Sequence, residues 1–310
     1  LDLIPTKFLD FERGAPLAPR PEARGPRGFR RVPGRTTRRA RDAHRFAEWK
    51  SVQMSSAPSP APPPVPSRIE APTLLLWLII HAGWIGLTLA SERIPTPLLA
   101  ALGGWIVAWH GSFQHEAIHG HPTPWRRVND ALASIPLSLW LPYPLYRRSH
   151  LAHHATHELT DTGHDPESRY LADDASPVSR LAAVAASTLA GRLLLGPPVE
   201  VAAFLAREAR ALVSPEGART QRIWLTHLLL AAGVIAWLHL AGGLSMGRYL
   251  LCFVYPGAAL SLIRSFAEHR AHADPARRVA SVEKAPVLGL LFLNNNRHAV
   301  VIFRRAAEHR

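Results

Sequence analysis

The sequence predicts an all-α membrane protein: four transmembrane helices in two hairpins, with a cytosolic helical cap that carries clustered histidines. Three observations predict it. Long apolar stretches occur in two closely spaced pairs, arginines are spread unevenly between them, and histidines gather where this topology puts one side of the membrane.

The first 70 residues are polar, rich in Arg, Pro and Gly and poor in apolar periodicity, which is the composition of a disordered tail. The whole chain carries a net charge of +13, and residues 1–53 hold 13 Lys+Arg against 6 Asp+Glu. Over half of the excess therefore lies in the tail and not on a folded basic face, which argues against nucleic acid as a partner. The sequence opens with Leu1 and its first methionine is Met54, so residues 1–53 read as an over-extended gene start. A basic tail lying on an anionic membrane surface is the alternative.

Residues 71–310 form the membrane domain. Residues 73–90 are uncharged, close to the ~20 needed to cross a bilayer, and after the break "SERIPT" residues 97–113 are uncharged again. Residues 223–244 and 249–266 make a second pair around "SMGR". The short loops hold only Arg93 and Arg248, whereas residues 115–222 hold eleven arginines, among them Arg126, Arg127, Arg219 and Arg222. Positive charge stays inside, so both termini and the middle segment are expected in the cytoplasm of a bacterial inner-membrane protein. Residues 131–146 are apolar but short and carry Pro136, Pro142 and Pro144, which predicts an interfacial or re-entrant piece. Residues 181–205, interrupted by Arg192 and Pro197-Pro198, are predicted to lie along the membrane surface.

The single cysteine, Cys252, sits in an apolar run, so within one chain neither a disulfide framework nor a Cys-based zinc site is possible. Histidine carries the chemistry instead. In "FQHEAIHGH", His115 and His119 are one helical turn apart and can reach one metal ion. The pentad also matches the HExxH of zinc proteases, in which Glu116 would be the general base. That reading needs a third ligand from a later helix, yet residues 223–266 contain no carboxylate. In "HLAHHATH", His150, His153, His154 and His157 fall within an arc of about 100° of one helix face. His269 and His272 follow the fourth apolar stretch, and His298 lies in "NNNRHAV". A catalytic zinc uses three protein ligands, so this many imidazoles suits two transition-metal ions better than one.

"HEAIHGH", then "YRRSHLAHH", "LTD" and "DPES", then "LNNNRHAV" resemble the membrane fatty acid desaturase family with its three histidine boxes, over about residues 72–300. The resemblance implies four membrane helices, a cytosolic cap and a di-iron centre that uses O2 to remove hydrogens from an acyl chain. It also implies a lipid, acyl-CoA or acyl-carrier-protein substrate and a separate ferredoxin- or cytochrome-type electron donor. Carried onto this chain, the implied ligands are His115 and His119, then His150, His153 and His154, then His269, and His298 opening the last box. His157 has no counterpart and is expected beside the site. Glu116, Asp161, Asp165, Glu167 and Glu268 are candidates to orient the ligands.

One departure stands out. Where the family pattern calls for two adjacent histidines after His298, this chain has Val301 and Ile302, neither of which can ligate. The expectation is a frameshift or truncation near residue 300, incomplete metal binding and impaired activity. A lipid or carotenoid hydroxylase or ketolase on the same scaffold, an intramembrane zinc protease and an inactive remnant are the alternatives. Trp105, Trp109, Trp140 and Tyr143 are expected in an interfacial belt or along a substrate tunnel. His81 and His239 are read as isolated packed residues, and His110 as facing away from the metals.

Overall fold

The computed structural model describes residues 65–155, 188–213 and 217–268, with side chains as far as 263. The tail before residue 65, the expectations for Asp161, Asp165, Glu167 and His157, and those for His269, His272, His298, Val301 and Ile302 lie outside these residues. Every element among the described residues is helical: α1 (Ala71–Leu89), a 3-10 turn (Ser91–Arg93), α2 (Thr96–Ile118), α3 (Arg126–Ala133), α4 (Tyr143–Ala155), α5 (Leu189–Leu212), α6 (Gly217–Leu240) and α7 (Met246–Tyr249). A π-helical turn (Leu250–Val254) then continues into α8 (Tyr255–Glu268).

Among the described residues, four helices are long and apolar enough to cross a membrane: α1, α5, α6 and the rod Met246–Ile263. This set differs from the expected one at two places. It lacks α2, although that helix runs 23 residues, because its second half carries His110, Gln114, His115 and Glu116. It includes α5, which the sequence reading broke at Pro197-Pro198. The helix runs through both prolines. Proline at 198 withholds the N–H that would bond the Leu194 carbonyl, and the Tyr255 hydroxyl donates to that carbonyl from 2.6 Å instead.

The centre of the bundle is α2, against which α1, α3, α4, the π-helical turn and α8 pack. Glycine permits the closest of these contacts. A Cβ at Gly103 would sit 2.6 Å from the Cys252 carbonyl oxygen, one at Gly104 2.6 Å from Pro256, and one at Gly257 2.6 Å from Val107. The two backbones therefore approach as small-residue crossings do in membranes. Around this crossing, Phe113, Leu99, Ile80, Tyr249 and Phe253 are fully buried.

The stretch between α3 and α4 enters the bundle, as a re-entrant piece would. Leu137 is completely buried, and its carbonyl accepts from the Tyr249 hydroxyl at 2.6 Å. Tyr249 belongs to the opposite end of the bundle, and its oxygen also accepts from the Trp84 indole at 3.0 Å. Leu139 has the left-handed φ of 64°, a strained conformation for a branched side chain, and His227 donates through Nε2 to its carbonyl at 2.8 Å. Non-helical backbone is tolerated at such depth when its carbonyls find donors like these.

Candidate metal centre

The first pair of imidazoles is placed by how α2 ends. His119 is the C-cap, and Gly120 follows with φ 101°, which glycine adopts without a Cβ penalty. The His121 amide donates back to the Glu116 carbonyl at 3.1 Å and the Gly120 amide to the Ala117 carbonyl at 3.1 Å, closing a Schellman motif. The chain then turns on Asn129, which is fully buried. Its amide donates to the Gly120 and Thr123 carbonyls, and its oxygen accepts from the Thr123 amide at 3.0 Å and hydroxyl at 2.8 Å. All of the side chain's hydrogen-bonding capacity is spent on holding this turn.

The second set stands on α4. Tyr143 begins that helix buried, with its hydroxyl donating to the Asp130 carboxylate at 2.9 Å. Burial and then the neighbouring Asp130 charge push the phenol above its usual range. Two turns later His150 and His153 are buried as well.

The two helices bring four imidazoles together. Ligand atoms of His115, His119, His150 and His154 all lie within 4.8 Å of one another. His150 is central: its Nε2 is 3.2 Å from Nε2 of His119 and 3.0 Å from Nε2 of His154. One imidazole nitrogen has a single in-plane lone pair or a single proton, so it cannot satisfy two facing nitrogens by hydrogen bonding. A cation between them removes the conflict. Adjacent ligands at right angles on bonds of about 2.1 Å are about 3.0 Å apart, the spacing found here, so the residues fit a transition-metal ion.

His153 is part of this cluster's surroundings but not of the four: its ring is 5.8 Å from that of His150 and 5.5 Å from that of His154. Glu116 is placed to orient one of the four imidazoles. It is buried, and its Oε1 accepts from His115 Nδ1 at 3.2 Å, which leaves Nε2 for the metal. His121 is drawn away, donating through Nδ1 to Glu70 at 2.8 Å. Glu70 and Asn129 were missed by sequence reasoning; neither sits in a histidine pattern, and their partners lie 51 and 9 residues away. His110 is not one of the four. His81 is not isolated: its ring meets that of His110 edge-on at 5.7 Å, and its Nδ1 donates to the Trp77 carbonyl at 2.8 Å. Of the aromatic residues, Trp105 and Trp109 contact each other, with ring centroids 5.0 Å apart, and Trp140 meets Phe204 at 5.3 Å.

A family model described as fatty acid desaturase matches residues 93–300. The chain belongs to the fatty acid desaturase family. This desaturase-family match spans both helices of the cluster and ends before Val301 and Ile302. The pentad His115-Glu116-Ala117-Ile118-His119 lies within the matched residues. No curated protein and no solved structure matches the chain.

Proposed function

We propose that this desaturase-family chain is built for O2-dependent removal of two hydrogens from a fatty acyl chain, with both termini and the metal centre on the cytoplasmic side. The observation that carries the reading is the convergence of His115, His119, His150 and His154 from two separate helices. In the reaction, one O2, two electrons and two protons from outside, and two hydrogens of the chain give a double bond and two waters. A bound pair of iron ions would activate O2 for attack on an unactivated CH2 group, chemistry that no side chain supplies.

The residues do the rest. His115, His119, His150 and His154 would hold one ion through neutral imidazole, and His153, His269 and His298 are left for the second. Glu116 fixes the His115 ring, and the Schellman turn with Asn129 fixes His119. The substrate is an acyl lipid, acyl-CoA or acyl-carrier protein, and electrons come from a separate ferredoxin- or cytochrome-type donor. In this reading α1 pairs with α2, and α6 with the rod Met246–Ile263, as two hairpins under a helical cap.

Val301 and Ile302 impair the second ion site in this copy. Iron quantitation on purified protein tests both statements. The chain as it stands should hold less than two irons, and Val301→His with Ile302→His should restore two and yield a product lighter by two hydrogens. Two tightly bound irons in the unchanged chain would refute the impairment. No iron in either protein would refute the di-iron reading, and a product heavier by one oxygen would assign hydroxylation instead.

A further inference from the structure

A groove of about 210 Å³ opens between α6 and the chain that leads into α4, apart from the four-histidine cluster. Its α6 wall is Arg222, Ile223, Thr226, His227 and Leu230, residues that share one helix face. Tyr143 and Pro144 lie across from them. From Arg222 to Leu230 the wall runs about 12 Å along the helix, with a charge at one end and an apolar side chain at the other. Arg222 is exposed, and among the described residues its guanidinium has no ion-pair partner. The neighbouring Leu225, Leu228 and Leu229 are 61%, 57% and 67% exposed, as they would be on a helix facing lipid.

We propose that this groove binds one anionic membrane lipid, with its phosphate on Arg222 and the upper part of one acyl chain along Ile223, Thr226 and Leu230 against Pro144. Charge and apolarity are complementary to this occupant in the order in which a lipid presents them. A zwitterionic lipid brings a cation of its own next to the phosphate and so pairs less well with the guanidinium, and free phosphate leaves the apolar wall wet. The bound lipid lies over the seam where His227 holds the strained Leu139 carbonyl, so it braces the re-entrant segment against α6. The assignment does not depend on metal or on turnover.

The test uses the full chain in phosphatidylcholine nanodiscs carrying a trace of phosphatidylglycerol with a photoactivatable diazirine in its acyl chain. Mass spectrometry should find the label concentrated in 222–230 and 134–144, competed by unlabelled phosphatidylglycerol but not by phosphatidylcholine or glycerol phosphate. Arg222→Gln should lower labelling about tenfold, one lost charge-assisted contact, while Arg222→Lys keeps most of it. Thr226→Trp, which fills the groove, should abolish labelling in a protein that still elutes as a folded species. Labelling spread evenly over α5 and α6, or unchanged in Arg222→Gln, overturns the proposal. Competition by glycerol phosphate alone would make the site an anion site without a chain.

Discussion

The two ends of the bundle treat polar atoms in opposite ways. At the end formed by residues 88–96 and 237–249, polar groups pair off. Arg248 donates to the Ser91 carbonyl at 2.9 Å and the Ile94 carbonyl at 3.1 Å, the Trp237 indole to the Thr88 hydroxyl at 3.1 Å, and Trp84 to Tyr249 at 3.0 Å. At the histidine end, nitrogens face one another instead: the Nε2 atoms of His119 and His154 lie 3.2 and 3.0 Å from that of His150. The first end is held by donors and acceptors that the polypeptide itself supplies, with the Ser91 hydroxyl and Arg248 Nε left without a hydrogen-bond partner. The second gathers imidazole nitrogens at a spacing that fits a transition-metal ion.

Substitutions at the two ends should separate metal content from stability. His150→Ala removes the nitrogen shared by both contacts and should reduce iron affinity more than 100-fold, measured by metal analysis after dialysis against a graded chelator. Retention of wild-type iron by this variant would break the comparison. Glu116→Gln keeps the shape but weakens the hold on His115 Nδ1, so about 10–100-fold in metal affinity should go with little change in thermal unfolding. At the opposite end, Tyr249→Phe strands the Leu137 carbonyl and the Trp84 indole. It should cost about 1–3 kcal/mol in detergent unfolding and leave iron untouched. Thr88→Val removes one acceptor, for Trp237, and should cost about 0.5–1.5 kcal/mol by the same measurement. If either of the last two lowers iron content, the ends are coupled and the contrast between them narrows.

The site was legible in sequence as far as single helices go. Spacings of three and four residues put His115 with His119, and His150 with His153 and His154, on common faces, because helix geometry fixes those angles. Which of the second set meets His115 and His119 was not legible, since the target lies on another helix. His154 joins the four and His153 stands beside them, although both fall within the same arc. Depth was hidden in a similar way. An apolar stretch with three prolines reads alike whether it lies at an interface or enters the bundle. What decides is a donor from Tyr249, 112 residues on, and one from His227, 88 residues on. Pro197-Pro198 looked like a helix break because the sequence does not show that Tyr255 stands ready to bond the freed Leu194 carbonyl.

The clasp at the start of α1 bears on how the chain is made. The Glu70 amide donates to the Pro122 carbonyl at 2.9 Å, and its carboxylate receives His121 at 2.8 Å. Both contacts need only residues up to 122, so they can close before α6 and α8 are synthesised. The first two long helices can therefore latch together early during insertion, presenting His115 and His119 as a preformed half into which α4 later docks.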